Sequence, residues 1–232
     1  MIKGFDQYAK EYDFWFLDNE NVLESEARLV ASVCLGGKNI LSIGCGSGLF
    51  EKILREHFDI NITEGVEPSS SMAEIARHRG MNVIEATAEK FDYPAGKYDT
   101  ILFNGCPSYI TDLDKVVRKV YDALPEGGRI ILIDVPKESS YGLLYNLAKS
   151  VGTWDHPLLE GTFPRNPYPI QLVNAASWRT TAEKTELLEK AGFRNLKYAQ
   201  TLTTLPLYSN DKPEEPSEGH DKGDYVAITA YK

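Results

Sequence analysis

The chain has 232 residues, with 25 Lys and Arg against 34 Asp and Glu, a formal balance of −9. An excess of acid argues against broad contact with a nucleic-acid backbone, which needs clustered cations. Its most apolar runs, such as Ile130-Ile131-Leu132-Ile133, fall far short of the roughly 20 residues that span a bilayer. The length suits one domain with a large core and no need of disulfide or metal staples. Cys34, Cys45 and Cys106 are an odd number without Cys-x-x-Cys spacing, so neither a disulfide framework nor a metal site is expected. Met1–Asp6 leads into charged residues rather than a secretory apolar core, and a cytoplasmic location is the expectation.

The elements alternate in a way that predicts an α/β fold. An aromatic-rich leader, residues 1–36, carries Phe5, Tyr8, Tyr12, Phe14, Trp15 and Phe16 and reads as a helical lid. Residues 37–136 then form a core of β-branched runs and amphipathic helices. Ile40–Ile43 is the first expected strand, followed by a glycine turn and a helix carrying Phe50, Ile53, Leu54 and His57. Strands are expected near Thr63–Glu67, around Val83–Ile84 and at Thr100–Phe103, with a helix through Ala73, Ile75 and Ala76.

Leu113, Val116, Val117, Val120, Tyr121 and Leu124 mark one helix face, capped by Thr111 or Asp112 and stopped by Pro125 and Gly127-Gly128. Arg129–Val135 supplies a fifth strand. Residues 137–178, with Tyr141, Tyr145, Trp154, Phe163, Tyr168 and Trp178, break the alternation and read as a second lid. In residues 179–232, Thr180-x-x-Glu183 opens a helix that closes at Gly192. Strands at Leu196–Leu202 and Tyr225–Tyr231 flank a polar surface loop, 209–223. Packing on the sheet is the competing explanation for each lid aromatic.

The strongest chemical signal is Gly44-Cys45-Gly46-Ser47-Gly48 between a strand and a helix. Glycine lets a ligand approach main chain where any Cβ would collide, and amides at a helix start attract negative charge. Glu67 ends the next strand, 19 residues beyond Gly48, where a carboxylate can accept hydrogen bonds from both hydroxyls of a ribose. An adenosine-type ligand is therefore expected at the strand edge. A dinucleotide site needs a third glycine where Leu49 stands; the G-x-G-x-G spacing suits a ligand without a pyrophosphate.

Five motifs in order complete the pattern: Asn39–Gly48, Gly65-Val66-Glu67-Pro68-Ser69, Ala86-Thr87-Ala88-Glu89-Lys90-Phe91, Tyr98–Asn104, and Leu124-Pro125-Glu126-Gly127-Gly128-Arg129. In this arrangement the chain resembles the class I S-adenosylmethionine-dependent methyltransferases, particularly the small-molecule branch related to quinone-biosynthesis enzymes. The resemblance implies a Rossmann-like, doubly wound and mostly parallel sheet of seven strands, with an antiparallel C-terminal pair and helical lids. It implies S-adenosylmethionine as cofactor, held by Gly44, Cys45, Gly46, Gly48, Glu67 and Pro68, with Thr87, Ala88 and Glu89 beside the adenine. The strand ending at Asn104 then lies beneath the reacting methyl, Cys106 just after it lines the cofactor pocket through its backbone, and Tyr12 approaches the methionine carboxylate. An i, i+4 core pair of Tyr8 and Tyr12 is the alternative for that tyrosine.

Two positions depart from the family. Ser42 stands where an acid two residues before the first glycine is usual, and Thr87 where an acid accepts from the adenine amino group. Each change trades a charged acceptor for a neutral one, at a cost of about 1 kcal/mol per site. The implied reaction is in-line methyl transfer to a small acceptor, which the aromatic lids suggest is apolar or aromatic. His156, Tyr109 and Tyr168 are the candidates for a catalytic base. A nicotinamide-dependent oxidoreductase and a non-catalytic S-adenosylmethionine sensor or partner domain are the alternatives.

Overall fold

The structure is a computed structural model that describes residues 3–232. Met1 and Ile2, the start of the expected leader, lie outside the described residues. One sheet runs through the molecule. Its strands are β1 (Ile40–Ile43), β2 (Glu64–Val66), β3 (Asn82–Ile84), β4 (Thr100–Asn104) and β5 (Arg129–Asp134), then β6 (Arg194–Thr201), β7 (Ser217–Glu218) and β8 (Tyr225–Tyr231). They lie side by side in the order β3-β2-β1-β4-β5-β8-β6-β7. The first five are parallel, and β8, β6 and β7 continue the sheet antiparallel.

Both faces of the sheet are covered, which is why its central strands read as unbroken apolar runs. Along β5 the pleat sends Ile131 and Ile133 to one side and Ile130 and Leu132 to the other. The first pair packs with Leu29 and Val30 of α2 (Glu20–Cys34) and Leu54 of α3 (Leu49–His57). Helix α1 (Lys3–Asp18) precedes these, and α4 (Ser70–His78) follows β2. The second pair meets Val116, Val117 and Val120 of α5 (Leu113–Ala123). Asp112 caps α5 by accepting from the Lys115 amide at 3.1 Å. Two helices, α6 (Ser140–Val151) and α7 (Ile170–Ala175), occupy the second expected lid. Helix α8 (Thr181–Ala191) then starts with the reciprocal Thr180–Glu183 box.

Two expectations need correcting. The sheet has eight strands rather than seven, because Ser217–Glu218 inside the expected loop pairs with β6. Two residues are too few to show alternation, and this pairing depends on a side-chain clamp. The Gln200 amide donates to Glu218 O at 3.1 Å and accepts from the amides of Lys222 and Gly223 at 2.8 and 2.7 Å. The leader also divides. Helix α1 lies over the sheet's edge, whereas α2 is a core helix, with Val22, Leu23, Ala27, Leu29 and Val30 buried.

Candidate active site

The carboxyl ends of β1, β2, β4 and β5 open into one cavity of about 440 Å³, at the point where the strand order reverses between β1 and β4. That volume suits a small organic ligand. Its floor is the turn after β1. Gly44 donates to Val66 O at 2.7 Å and Gly48 to Cys45 O at 3.0 Å, which fixes a tight loop with positive φ at Gly44, Gly46 and Gly48. Gly44 and Gly46 line the cavity, and a Cβ placed on Gly46 would meet nothing within 4 Å. Bare main chain therefore faces the open space. Cys45 and Gly48 turn away from it. The Cys45 side chain is buried with Ala73, Ala76, Met81 and Val83, and a Cβ on Gly48 would lie 2.8 Å from Met81 Sδ. Both hold the loop from behind.

Glu67 lines the cavity while buried, 6% exposed. Its Oε2 accepts from the Gly46 amide at 2.9 Å and its Oε1 from the Ser69 amide at 2.8 Å. A carboxylate has about four lone-pair sites, so each oxygen keeps one for a ligand hydroxyl. Burial pushes the Glu67 carboxyl up to about 7, and the two amides pull against that rise. Beside it, Pro68, Thr87, Ala88 and Glu89 line the next wall. That wall is anchored from α5, where Lys119 Nζ donates to the carbonyls of Glu89 and Phe91 at 3.1 and 2.6 Å.

Helix α1 closes over the turn through charge. Arg79 donates to Asp13 Oδ2 at 2.6 Å and to the carbonyl and hydroxyl of Ser47 at 2.8 and 2.6 Å, and Ser47 Oγ donates in turn to Asp13 Oδ1. Farther along, Ser69 Oγ donates to Asp6 Oδ1 at 2.6 Å. Tyr12 of this helix lines the cavity and packs edge-on against Phe16 and Tyr168. The second lid is tied to the first, with Trp15 Nε1 donating to Asn166 O at 3.0 Å.

At the far end stand Asn104, Cys106, Tyr109 and Tyr168. Tyr225 donates its hydroxyl to Asn104 Oδ1 at 2.9 Å, and Cys106 Sγ donates to Ile43 O at 3.0 Å. Burial raises the Cys106 thiol, which keeps it protonated and unreactive. Tyr109 and Tyr168 are likewise pushed upward by burial, so neither is poised to take a proton near neutrality. His156 lies elsewhere; its Nδ1 accepts from the Leu158 amide at 3.2 Å, and it does not line the cavity.

The cavity also gathers two aromatics of the second expected lid and two carboxyls, and only the carboxyls were passed over by the sequence reading. Tyr145 and Trp178, with ring centres 5.1 Å apart, form an aromatic wall. Two carboxyls share that end: Glu26 of α2, 7% exposed, and Asp134 at the end of β5, 3% exposed. Burial and then the nearby Asp134 push Glu26 up to about 8. Burial lifts Asp134 to about 6, against the pull of Lys184, the Val135 amide and Ser108. A sequence signal for Glu26 existed: it lies three residues after Leu23 and four before Val30, on the buried face of its helix.

These features fit a nucleoside-bearing methyl donor: open main chain for close approach, spare acceptors on Glu67, and a cavity continuing past β4. The comparisons agree. A methyltransferase-domain family model matches residues 18–198. An uncharacterized protein of Methanocaldococcus jannaschii is 30% identical over 230 residues, covering 98% of both chains. The ubiquinone/menaquinone biosynthesis C-methyltransferase UbiE of Vibrio parahaemolyticus is 27% identical, across 70% of this chain and 66% of its own. A crystal structure from Thermotoga maritima, described as an S-adenosylmethionine-dependent methyltransferase and possible histamine N-methyltransferase, superposes with a TM-score of 0.84. It shares 30% identity and full coverage of both chains. The chain belongs to the S-adenosylmethionine-dependent methyltransferases. It is an enzyme of that class, with S-adenosylmethionine as its cofactor, so the nicotinamide alternative is set aside. Among the described residues, no helix is long and apolar enough to cross a membrane.

Proposed function

We propose that the chain methylates a small molecule by in-line displacement, with the acceptor held between the end of β4 and the aromatic wall of the lids. The observation that carries this reading is the continuity of one cavity, from Gly46 and Glu67 at one end to Tyr145 and Trp178 at the other. Gly44, Gly46, Glu67, Pro68, Thr87, Ala88 and Glu89 would hold the donor's nucleoside. Tyr12, Asn104 and Cys106 would stand near its methionine part. When bound, S-adenosylmethionine supplies a methyl already activated by a sulfonium, whose carbon–sulfur electrons stay on sulfur as the new bond forms.

The protein's share is position and dryness. Aromatic side chains from both lids exclude water and align an acceptor, and such alignment can supply much of the rate enhancement. The Thermotoga maritima description agrees with a diffusible acceptor of modest size. Incubating the protein with methyl-labelled S-adenosylmethionine and a fractionated metabolite extract tests the reading. Label in a low-molecular-weight product supports it. Tight donor binding with no transfer to any fraction would favour the sensor alternative instead.

A further inference from the structure

Beyond the methyl-donor half, the cavity has a charge pattern that the chemistry above does not use. Glu26 is buried, lines the cavity, and accepts no hydrogen bond among the described residues. A buried carboxyl without a donor is costly to keep unless a ligand completes it. Asp134 lies close enough to raise Glu26 further. Lys184 interacts with Asp134, yet it does not line the cavity and its own burial favours the neutral amine. Lys90 is the one Lys or Arg among the lining residues, and it is exposed beside Glu89 on the nucleoside wall. Tyr12, Tyr145 and Tyr225 lie close enough to interact with Glu26, and Trp15 and Trp178 line the same cavity. Aromatic rings attract a desolvated cation, and paired acids give it a counter-charge.

Resting on the methyltransferase reading, we infer that Glu26 and Asp134 form the receiving site for a protonated amine, making a small amine with an apolar or aromatic body the acceptor. Glu26 takes one proton from the ammonium and becomes a carboxylic acid. The nitrogen lone pair released in this way forms the new nitrogen–carbon bond, while the pair of the broken carbon–sulfur bond remains on sulfur. The methylated amine departs as an ammonium, and Glu26 returns its proton to water. The raised affinity of Glu26 for protons suits that exchange.

Calorimetry on protein saturated with S-adenosylhomocysteine tests the site with three probes that share one phenylethyl body: 2-phenylethylammonium, 2-phenylethanol and 3-phenylpropionate. The ammonium should bind at least about ten-fold tighter than the alcohol, with the carboxylate weakest. In Glu26→Gln that preference should fall to within about two-fold, while S-adenosylhomocysteine binds as before. Asp134→Asn should narrow the preference without abolishing it, and serves if the first variant does not fold. Equal binding of ammonium and alcohol, or a preference that survives in Glu26→Gln, would overturn the assignment. Loss of S-adenosylhomocysteine binding in a folded Glu26→Gln protein would put this carboxyl on the donor's own ammonium, and so overturn it too. Failure of the wild-type chain to bind S-adenosylhomocysteine would instead remove the donor site on which the inference rests.

Discussion

The Ser42 hydroxyl donates to Glu51 Oε1 at 2.6 Å, joining the strand that leads into the glycine turn to the helix that leaves it. The acid absent at position 42 is therefore matched by one arriving from α3, fully buried behind the turn. Burial raises the Glu51 carboxyl, and its Oε2 has no hydrogen-bond partner among the described residues. Ser42→Asp would set a second carboxyl against the first. It should lower stability by about 2 kcal/mol or more, and adding Glu51→Gln should recover much of that loss. Urea unfolding of the two single variants and the double variant measures the coupling; strict additivity would contradict it.

Gly46 and Gly48 predict opposite consequences for one added methyl group. At Gly46 the Cβ points into open cavity, at a φ of +55°. Gly46→Ala should keep most of the stability and weaken donor binding by about ten-fold or more, because the methyl takes space needed for close approach. At Gly48 the Cβ would press on Met81 Sδ at 2.8 Å and Ala76 Cα at 3.3 Å. Gly48→Ala should cost about 2–3 kcal/mol of stability, through both packing and positive φ. Thermal unfolding and donor titration of each variant separate the two effects.

The Asp13–Arg79–Ser47 junction makes α1 a latch on the glycine turn. Its ion pair is mostly shielded, with side-chain exposures of 12% and 22%. Asp13→Asn should speed dissociation of S-adenosylhomocysteine by about ten-fold while lowering stability by only about 1–2 kcal/mol. Stopped-flow displacement reads the off-rate directly. An unchanged off-rate would mean that α1 covers the site without gating it.

The sheet was legible because its central strands are short unbroken apolar, β-branched runs and the α5 face repeats at a period of 3.6. The turn and Glu67 were legible because their chemistry depends on local residue type and spacing. Glu26 was not. Its neighbours in Leu23-Glu24-Ser25-Glu26-Ala27 make it look like one more surface charge, and only its place on the Leu23–Val30 face marks it as buried. Asp134 was hidden as the last residue of an apolar strand, and whether such a residue faces solvent or a cavity is decided by α2 and the lids. For α2 the aromatic leader misled, because Trp15 and Phe16 precede a helix whose own apolar face packs on the sheet. His156 was singled out for its residue type and its place beside Trp154, and type alone does not fix position.

Acidic groups held above their ordinary values set the pH dependence of stability. Glu26 moves from 4.5 to about 8, Glu67 from 4.5 to about 7 and Asp134 from 3.8 to about 6. Across these windows the folded chain keeps protons that the unfolded chain has lost, so stability falls as pH rises. Glu26 faces Asp134 on β5, Tyr12 on α1, Tyr141 and Tyr145 on α6 and Tyr225 on β8, and none of these is a cation. Glu26→Gln should therefore stabilise the chain at about pH 9 by about 1–2 kcal/mol, roughly 2–8 °C in Tm, and by much less at about pH 5. Melting curves at the two pH values check the sign; equal shifts at both would place the carboxyl in water.

The central claim is that a nucleoside rests against residues 44–48 while Glu67 holds its ribose. Calorimetric titration of S-adenosylmethionine into the wild-type chain and Glu67→Ala tests it most directly. The account predicts one site per chain in the wild type and a loss of about 1.5–3 kcal/mol in the variant, a factor of roughly 10–150, with the fold intact. An unchanged dissociation constant in a folded Glu67→Ala protein would contradict it.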